Sequence, residues 1–60
     1  MEVILLDKIG NFYLYYDFQA EKKFLLVMKD YDYRLYFKKE LEARRYAHKQ
    51  YINYLNWLCR

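Results

Sequence analysis

Residues 10–18 read "GNFYLYYDF", a turn signal followed by five aromatic residues in seven positions. A glycine in the first place of a two-residue turn is typical of a β-hairpin. A strand on a core normally alternates apolar and polar side chains, because one side is buried and the other is wet. Here Tyr13 and Tyr15 point to one side, and the other side is apolar as well, through Phe12, Leu14, Tyr16 and Phe18. The stretch therefore predicts a strand that needs cover on both sides.

The first half of the chain repeats short runs of β-forming residues separated by polar breaks. These runs predict strands at about residues 2–8, 12–18, 24–29 and 32–37. Tight turns are expected at Gly10–Asn11, Ala20–Glu21 and Asp30–Tyr31. Short connections between successive strands indicate an antiparallel meander of three or four strands.

From Lys38 the apolar period changes to that of a helix, about 100° per residue. We predict one amphipathic helix over about residues 38–59, with a broad apolar arc formed by Ala43, Tyr46, Ala47, Tyr51, Tyr54, Leu55, Trp57 and Leu58. Its start has no Ser, Thr, Asp or Asn cap, so this boundary is soft. A longer helix beginning near Tyr31 is the alternative. The predicted fold is α+β, one domain over residues 1–60 with the meander followed by the helix.

With tight turns, antiparallel pairing assigns each strand residue to a side of the sheet. One side is nearly all apolar and is the expected bed for the helix: Ile4, Leu6, Tyr13, Tyr15, Phe24, Leu26, Met28, Tyr33, Leu35 and Phe37. The other side mixes apolar residues with charges, and a partner is expected to cover it. Its predicted partner-binding residues are Phe12, Leu14, Tyr16, Phe18, Leu25, Val27, Arg34 and Tyr36. The alternative is that loops and a curled sheet hide this side.

Composition excludes several classes of site. Cys59 is the single cysteine, so no internal disulfide forms, and with His48 it offers too few ligands for a usual zinc site. The chain has no serine, and His48 lies about three helical turns from Cys59, so no nucleophile is paired with a base. We expect a protein that is not an enzyme and has no metal, cofactor or small-molecule substrate.

No apolar run approaches the ~20 residues of a membrane span, and none has the layout of a signal peptide. We therefore expect a cytoplasmic protein without a membrane partner, with an organelle matrix as the alternative compartment. Serine, threonine and proline are absent. This bias indicates an A/T-rich gene, as in many phage, viral and organelle genomes, and a viral protein would act in the host cytoplasm.

The helix is the basic element, since residues 38–60 carry six Lys/Arg against two Glu. A polar arc along it could bind nucleic acid through Lys38, Arg45, Lys49, Asn53, Asn56 and Arg60. The leading functional hypothesis is a small protein-binding module, either a self-associating adaptor or a phage-type inhibitor of a host protein, that uses the aromatic sheet face. The alternative is a nucleic-acid-binding or ribosome-associated protein that uses the basic helix and exposed aromatics.

Overall fold

A computed structural model describes residues 2–28 and 33–59. These residues form strands β1 (Val3–Ile9), β2 (Phe12–Asp17), β3 (Phe24–Met28) and β4 (Arg34–Phe37), followed by helix α1 (Glu40–Leu58). The strands make one antiparallel sheet in the order β1-β2-β3-β4. The predicted α+β fold is confirmed, and the longer helix from Tyr31 is wrong because Arg34–Phe37 is a strand. The predicted turn at Asp30–Tyr31 lies outside the described residues.

The β1–β2 turn has the predicted form. Ile9 pairs with Phe12 across Gly10 and Asn11. Gly10 has φ 58°, and it alone among the described residues has a positive φ, as a hairpin turn with glycine first requires. The helix also crosses this turn closely, because a Cβ built on Gly10 would lie 2.6 Å from Cγ of Tyr51. Gly10 is thus needed both for its backbone conformation and for its lack of a side chain.

Strand β1 contains a bulge that the apolar pattern does not predict. Asp7 pairs with Leu14, but Leu5 pairs with Tyr15, so Leu6 is an extra residue in the ladder. Ile9 packs against the core under the helix, and Asp7 reaches Arg44 on the helix. Both face the helix because they pair with Phe12 and Leu14, which face it as well. The bulge acts on the first half of β1, where it places Val3 and Leu5 on the opposite side.

The β2–β3 connection is longer than the tight turn predicted at Ala20–Glu21. The Asp17 N–H donates to the Lys23 carbonyl at 2.7 Å. Within the loop, Oδ1 of Asp17 accepts bonds from the backbone N–H groups of Gln19 at 3.0 Å and Ala20 at 3.3 Å. Asp commonly closes turns in this way. The loop sets Leu14 opposite Leu26, one residue from the predicted register, so β2 is turned over relative to β3.

Strands β3 and β4 have the predicted register. Leu26 pairs with Leu35, and Leu25 pairs with Tyr36. Leu26, Leu35 and the neighbouring Phe24, Met28 and Phe37 lie toward the helix, as predicted. Of the predicted helix bed, the β2 residues Tyr13 and Tyr15 are therefore wrong, and Leu14 and Phe12 take their place.

The core is a thin layer between the sheet and the first half of α1. Leu14, Leu26, Ala43 and Ala47 are fully buried, and Phe12 is nearly so. The two alanines, four residues apart, lie on one side of the helix, and their small side chains allow the helix axis to approach the leucines closely. Tyr46 flanks this contact, with its ring 6.3 Å from Phe12 and 5.6 Å from Phe37 between centroids. As the sequence predicted, the helix begins without a side-chain cap, after Lys39.

We predict that Gly10→Ala destabilises the protein by roughly 2 kcal/mol or more, because alanine is strained at this φ and its methyl group collides with Tyr51. In a Tyr51→Ala background the same change should cost only the conformational part, about 1–2 kcal/mol. Asn11→Ala, at an exposed position with negative φ, is the control and should stay within about 0.5 kcal/mol of wild type. Chemical denaturation of wild type, the three single variants and the double variant measures these differences. Equal costs of Gly10→Ala in both backgrounds would show that the turn and the helix do not touch.

Candidate interaction surfaces

The sheet side opposite the helix is rich in tyrosine and aliphatic residues. We call it the tyrosine face, and the pairing register places on it Val3, Leu5, Lys8, Tyr13, Tyr15, Leu25, Val27, Arg34 and Tyr36. No helix or strand among residues 2–28 and 33–59 covers it, since α1 packs on the other side. Strand β2, which the sequence shows to be apolar on both sides, therefore has one side under the helix and the other side bare.

Local contacts organise the tyrosine face. The rings of Tyr13 and Tyr15 lie 6.5 Å apart between centroids, and Nζ of Lys8 lies 5.8 Å from the Tyr13 centroid, within cation–π range. Leu25 is only 7% exposed, because its cross-strand neighbours Tyr15 and Tyr36 stand on either side of it. The tyrosines thus cover Leu25 and leave their own outer surfaces open.

The predicted partner-binding residues divide between the two sides. Leu25, Val27, Arg34 and Tyr36 lie on the tyrosine face as predicted. The placement of Phe12, Leu14 and Tyr16 on a bare side is wrong: the first two are buried under the helix, and the Tyr16 ring packs 5.4 Å from Phe24 on that same side. Phe18 lies exposed just after β2, with its ring against Tyr16. Tyr13 and Tyr15 form the aromatic centre of the face, and the prediction did not include them among the partner-binding residues. Asp17 was the available signal, because an Asp that closes a turn lengthens the loop and sets the register that exposes these two tyrosines.

A second surface is an open groove of about 540 Å³ between the helix and the end of β1. We call it the basic groove; it is lined by Ile9, Arg44, Arg45, His48, Lys49, Ile52 and Asn53. It brings together three of the predicted nucleic-acid-binding residues, Arg45, Lys49 and Asn53. His48 was not predicted as a member. Lys38 precedes the helix and Asn56 follows the groove by one turn, and Arg60 lies outside the described residues.

Arg44 ties the helix to the bulged strand. Its Nη1 donates to Oδ2 of Asp7 at 2.6 Å, and its Nε donates to Oε2 of Glu40 at 2.7 Å. The bond from Arg44, helped by the Lys8 N–H on the other carboxylate oxygen, lowers the pKa of Asp7 below its ordinary value. The two carboxylates raise the pKa of Arg44. They also offset its charge, so Arg45 and Lys49 are the groove cations for which the described residues show no ion pair.

The third surface is the end of the helix. Every residue from 52 to 59 is exposed, and we call this segment the helix overhang. It follows Tyr51, which crosses the Gly10 turn at the end of the sheet. Its large apolar residues had been predicted on the buried arc, but Tyr54, Leu55, Trp57 and Leu58 are all exposed. The error is one of length, since the sheet ends before the helix does.

Reactive side chains are dispersed. Among the described residues no three His, Cys, Asp or Glu side chains lie close enough to hold a metal ion. The Cys59 thiol is free and exposed, and His48 is exposed on the helix. The hydroxyls of Tyr33 and Tyr46 lie 3.1 Å apart, a bond that raises the pKa of Tyr46 and links β4 to the helix. Within residues 2–28 and 33–59, no helix combines the length and apolar character needed to cross a membrane.

Comparisons with protein-family models, with curated proteins and with solved structures found no match to this chain.

The Asp7–Arg44 pair makes a prediction about pH. Because the folded-state pKa of Asp7 is lowered, the pair stabilises the fold above the ordinary carboxyl pKa, and this stabilisation is lost as the pH falls through the folded-state pKa. In an NMR titration the Asp7 carboxyl should titrate below its ordinary value of 3.8, and Arg44→Gln should move its pKa up toward that value. Arg45→Gln, one residue along the helix, is the control and should leave the Asp7 titration in place. An unchanged Asp7 pKa in Arg44→Gln would contradict the contact.

Proposed function

We propose that this protein is a non-catalytic binding module that engages another protein, either a second copy or a foreign target, through the tyrosine face. The observation that carries the proposal is the single-sided cover of the sheet: helix α1 packs on Leu14 and Leu26, while the opposite side keeps open tyrosines. Tyrosine suits a protein interface because it buries a large ring and keeps a polar tip, at low cost in side-chain entropy.

The arrangement of the face supports this role. Tyr13, Tyr15 and Tyr36 stand around the buried Leu25, so the centre is apolar. Lys8 and Arg34 lie at its margins on β1 and β4. An apolar aromatic centre with charged residues at the rim is the usual anatomy of a protein–protein contact. A small adaptor or a phage-type inhibitor of a host protein would use such a face, and we place its action in the cytosol, where its free Cys59 stays reduced.

A second candidate function, nucleic-acid binding by the helix, is favoured by one observation. Arg45, Lys49 and Asn53 line the same groove beside Arg44 and His48, so phosphate contacts would be adjacent. Ile9 and Ile52 give the groove an aliphatic part, and among its lining residues only His48 carries a ring on which a base could stack. Binding of single-stranded RNA that weakens steeply as the salt concentration rises would support this second function.

Paired lysine substitutions on adjacent residues of β2 test the protein-binding proposal. Tyr15→Lys places a flexible cation on the tyrosine face, so the fold should survive while association is lost. Leu14→Lys buries an unpaired charge under the helix, so the protein should unfold. Circular dichroism reports folding, and solution mass over a dilution series reports association. Binding of an apolar-surface dye that Tyr15→Lys reduces detects a tyrosine face without a bound partner, because dye bound at the exposed helix end is the same in both proteins.

Gln19→Lys is the matched control, since it makes a similar change of charge at an exposed loop position. It should associate, or bind the dye, as wild type does. A wild-type protein that is monomeric at all concentrations and binds no dye would reject the proposal. So would a Tyr15→Lys variant that folds and still associates.

A further inference from the structure

The helix overhang is an exposed segment without charge. Residues 50–59 are ten consecutive uncharged residues, and five large apolar side chains among them are exposed: Ile52, Tyr54, Leu55, Trp57 and Leu58. Trp57 is 66% exposed, more than any other large apolar side chain of the described residues. An exposed apolar cluster of this kind marks a contact surface.

These apolar side chains take up more than half of the helix circumference. At about 100° per residue, Ile52, Leu55 and Leu58 lie next to one another on an arc of about 120°, and Tyr54 and Trp57 extend that arc toward the end of the sheet, where they line an open groove with Phe12 and Met28. Asn53 and Asn56 form the remaining polar stripe, in line with Arg45 and Lys49. An exposed helix end with a broad apolar arc and one polar stripe fits the boundary between water and an apolar medium.

Cations precede the overhang directly. Arg45, His48 and Lys49 occupy the one to two turns before Ile52 and line the basic groove with it. From Ala43 to Cys59 the helix carries no acidic residue. Lysine and arginine beside an apolar segment with tryptophan are typical of helices that bind at lipid–water interfaces. The overhang is about 12 Å long, so it can reach the boundary between the lipid headgroups and the acyl chains but cannot cross the membrane.

We propose that the helix overhang binds the surface of an anionic lipid membrane, with its apolar side chains among the upper acyl chains. Arg45 and Lys49 would contact the lipid phosphates, and Trp57 would lie at the headgroup level. The sequence predicted no membrane partner because no segment is long enough to span, but interfacial binding needs no span. The tyrosine face, on the far side of the sheet from the helix, stays open to a protein while the lipid is bound.

Other occupants fit less well. A second copy docked through the same segment supplies no carboxylate for Arg45 and Lys49, because the helix has no acidic residue from Ala43 to Cys59. Nucleic acid would satisfy the cations but offers no apolar phase for Ile52, Leu55 and Leu58. An acidic protein groove would satisfy both only if it enclosed more than half of the helix circumference, which is the extent of the apolar arc.

Vesicles and the single tryptophan test the proposal on the full chain. Wild type should co-sediment with phosphatidylcholine vesicles that contain phosphatidylserine and not with phosphatidylcholine alone, and Trp57 emission should shift to the blue on binding. Anionic vesicles should also slow thiol labelling of Cys59, at the tip of the overhang. The pair of changes Arg45→Gln and Lys49→Gln should weaken binding about tenfold or more.

The pair Leu55→Gln and Leu58→Gln should weaken binding by a similar factor while keeping Trp57 as the probe. Leu41→Gln is the matched control, since Leu41 is exposed on the same helix but lies in its first turn, and it should bind as wild type. Tyr15→Lys should also bind lipid normally, which separates this result from the fate of the tyrosine face. All variants are first shown to fold by circular dichroism.

Three results would overturn the proposal. One is failure of wild type to bind anionic vesicles. The second is vesicle binding that neither shifts Trp57 emission nor weakens in the Leu55→Gln and Leu58→Gln variant. If the protein also binds single-stranded RNA equally well, the groove would be assigned to nucleic acid. The third is a dimer in solution that the same variant dissociates and that lipid does not, which would assign the overhang to a second copy.

Discussion

The contact of Ala43 and Ala47 with Leu14 and Leu26 fixes the rest of the structure. These four side chains are fully buried, and the small alanines bring the helix close enough to exclude water from the leucines. Among residues 2–28 and 33–59, the 19-residue helix is the one element that packs on the sheet, and it covers one side. Whatever lies opposite Leu14 in the pleat, on β2 and its neighbours, must face outward.

Two devices hold the helix at the correct height and angle over that contact. At the end of the sheet, Tyr51 crosses the Gly10 turn so closely that no Cβ fits. Along the edge, Arg44 reaches Asp7 at 2.6 Å, and Asp7 faces the helix because it pairs with the buried Leu14. Beyond Tyr51 the helix meets none of the four described strands along its length, and residues 52 to 59 are exposed. The tyrosine face and the overhang therefore belong to different layers of the molecule and can act independently.

The sequence predicted the elements well because each depends on local signals. The Gly10–Asn11 turn, the change of period near Lys38 and the β3–β4 register are all visible in a few adjacent residues. The sides of β2 depend on a one-residue count across a loop, and Asp17 lengthens that loop by closing it with its own side chain. The bulge at Leu6 leaves no mark in the apolar pattern, since its neighbours Ile4 and Leu5 are equally apolar.

The exposed helix end could not be predicted either, since periodicity shows which residues share a side and not where the supporting sheet stops. Because of the longer β2–β3 loop, Leu14 lies under the helix where Tyr15 was predicted. Because the helix runs past the sheet, Tyr54 and Leu58 are exposed, although they were predicted in the core. Two parts of the candidate sites could be predicted from the sequence. One is the set of partner-binding residues on β3 and β4, and the other is the clustering of Arg45 with Lys49. The tyrosines at the centre of the exposed face required the three-dimensional register.

The most direct test of this account is a map of proton contacts by solution NMR between the helix alanines and strand β2. The account predicts nuclear Overhauser effects from the methyl groups of Ala43 and Ala47 to those of Leu14 and Leu26, and none to the rings of Tyr13 and Tyr15. Contacts from the alanine methyls to the Tyr15 ring, without contacts to Leu14, would place the helix on the other side of the sheet and contradict the account.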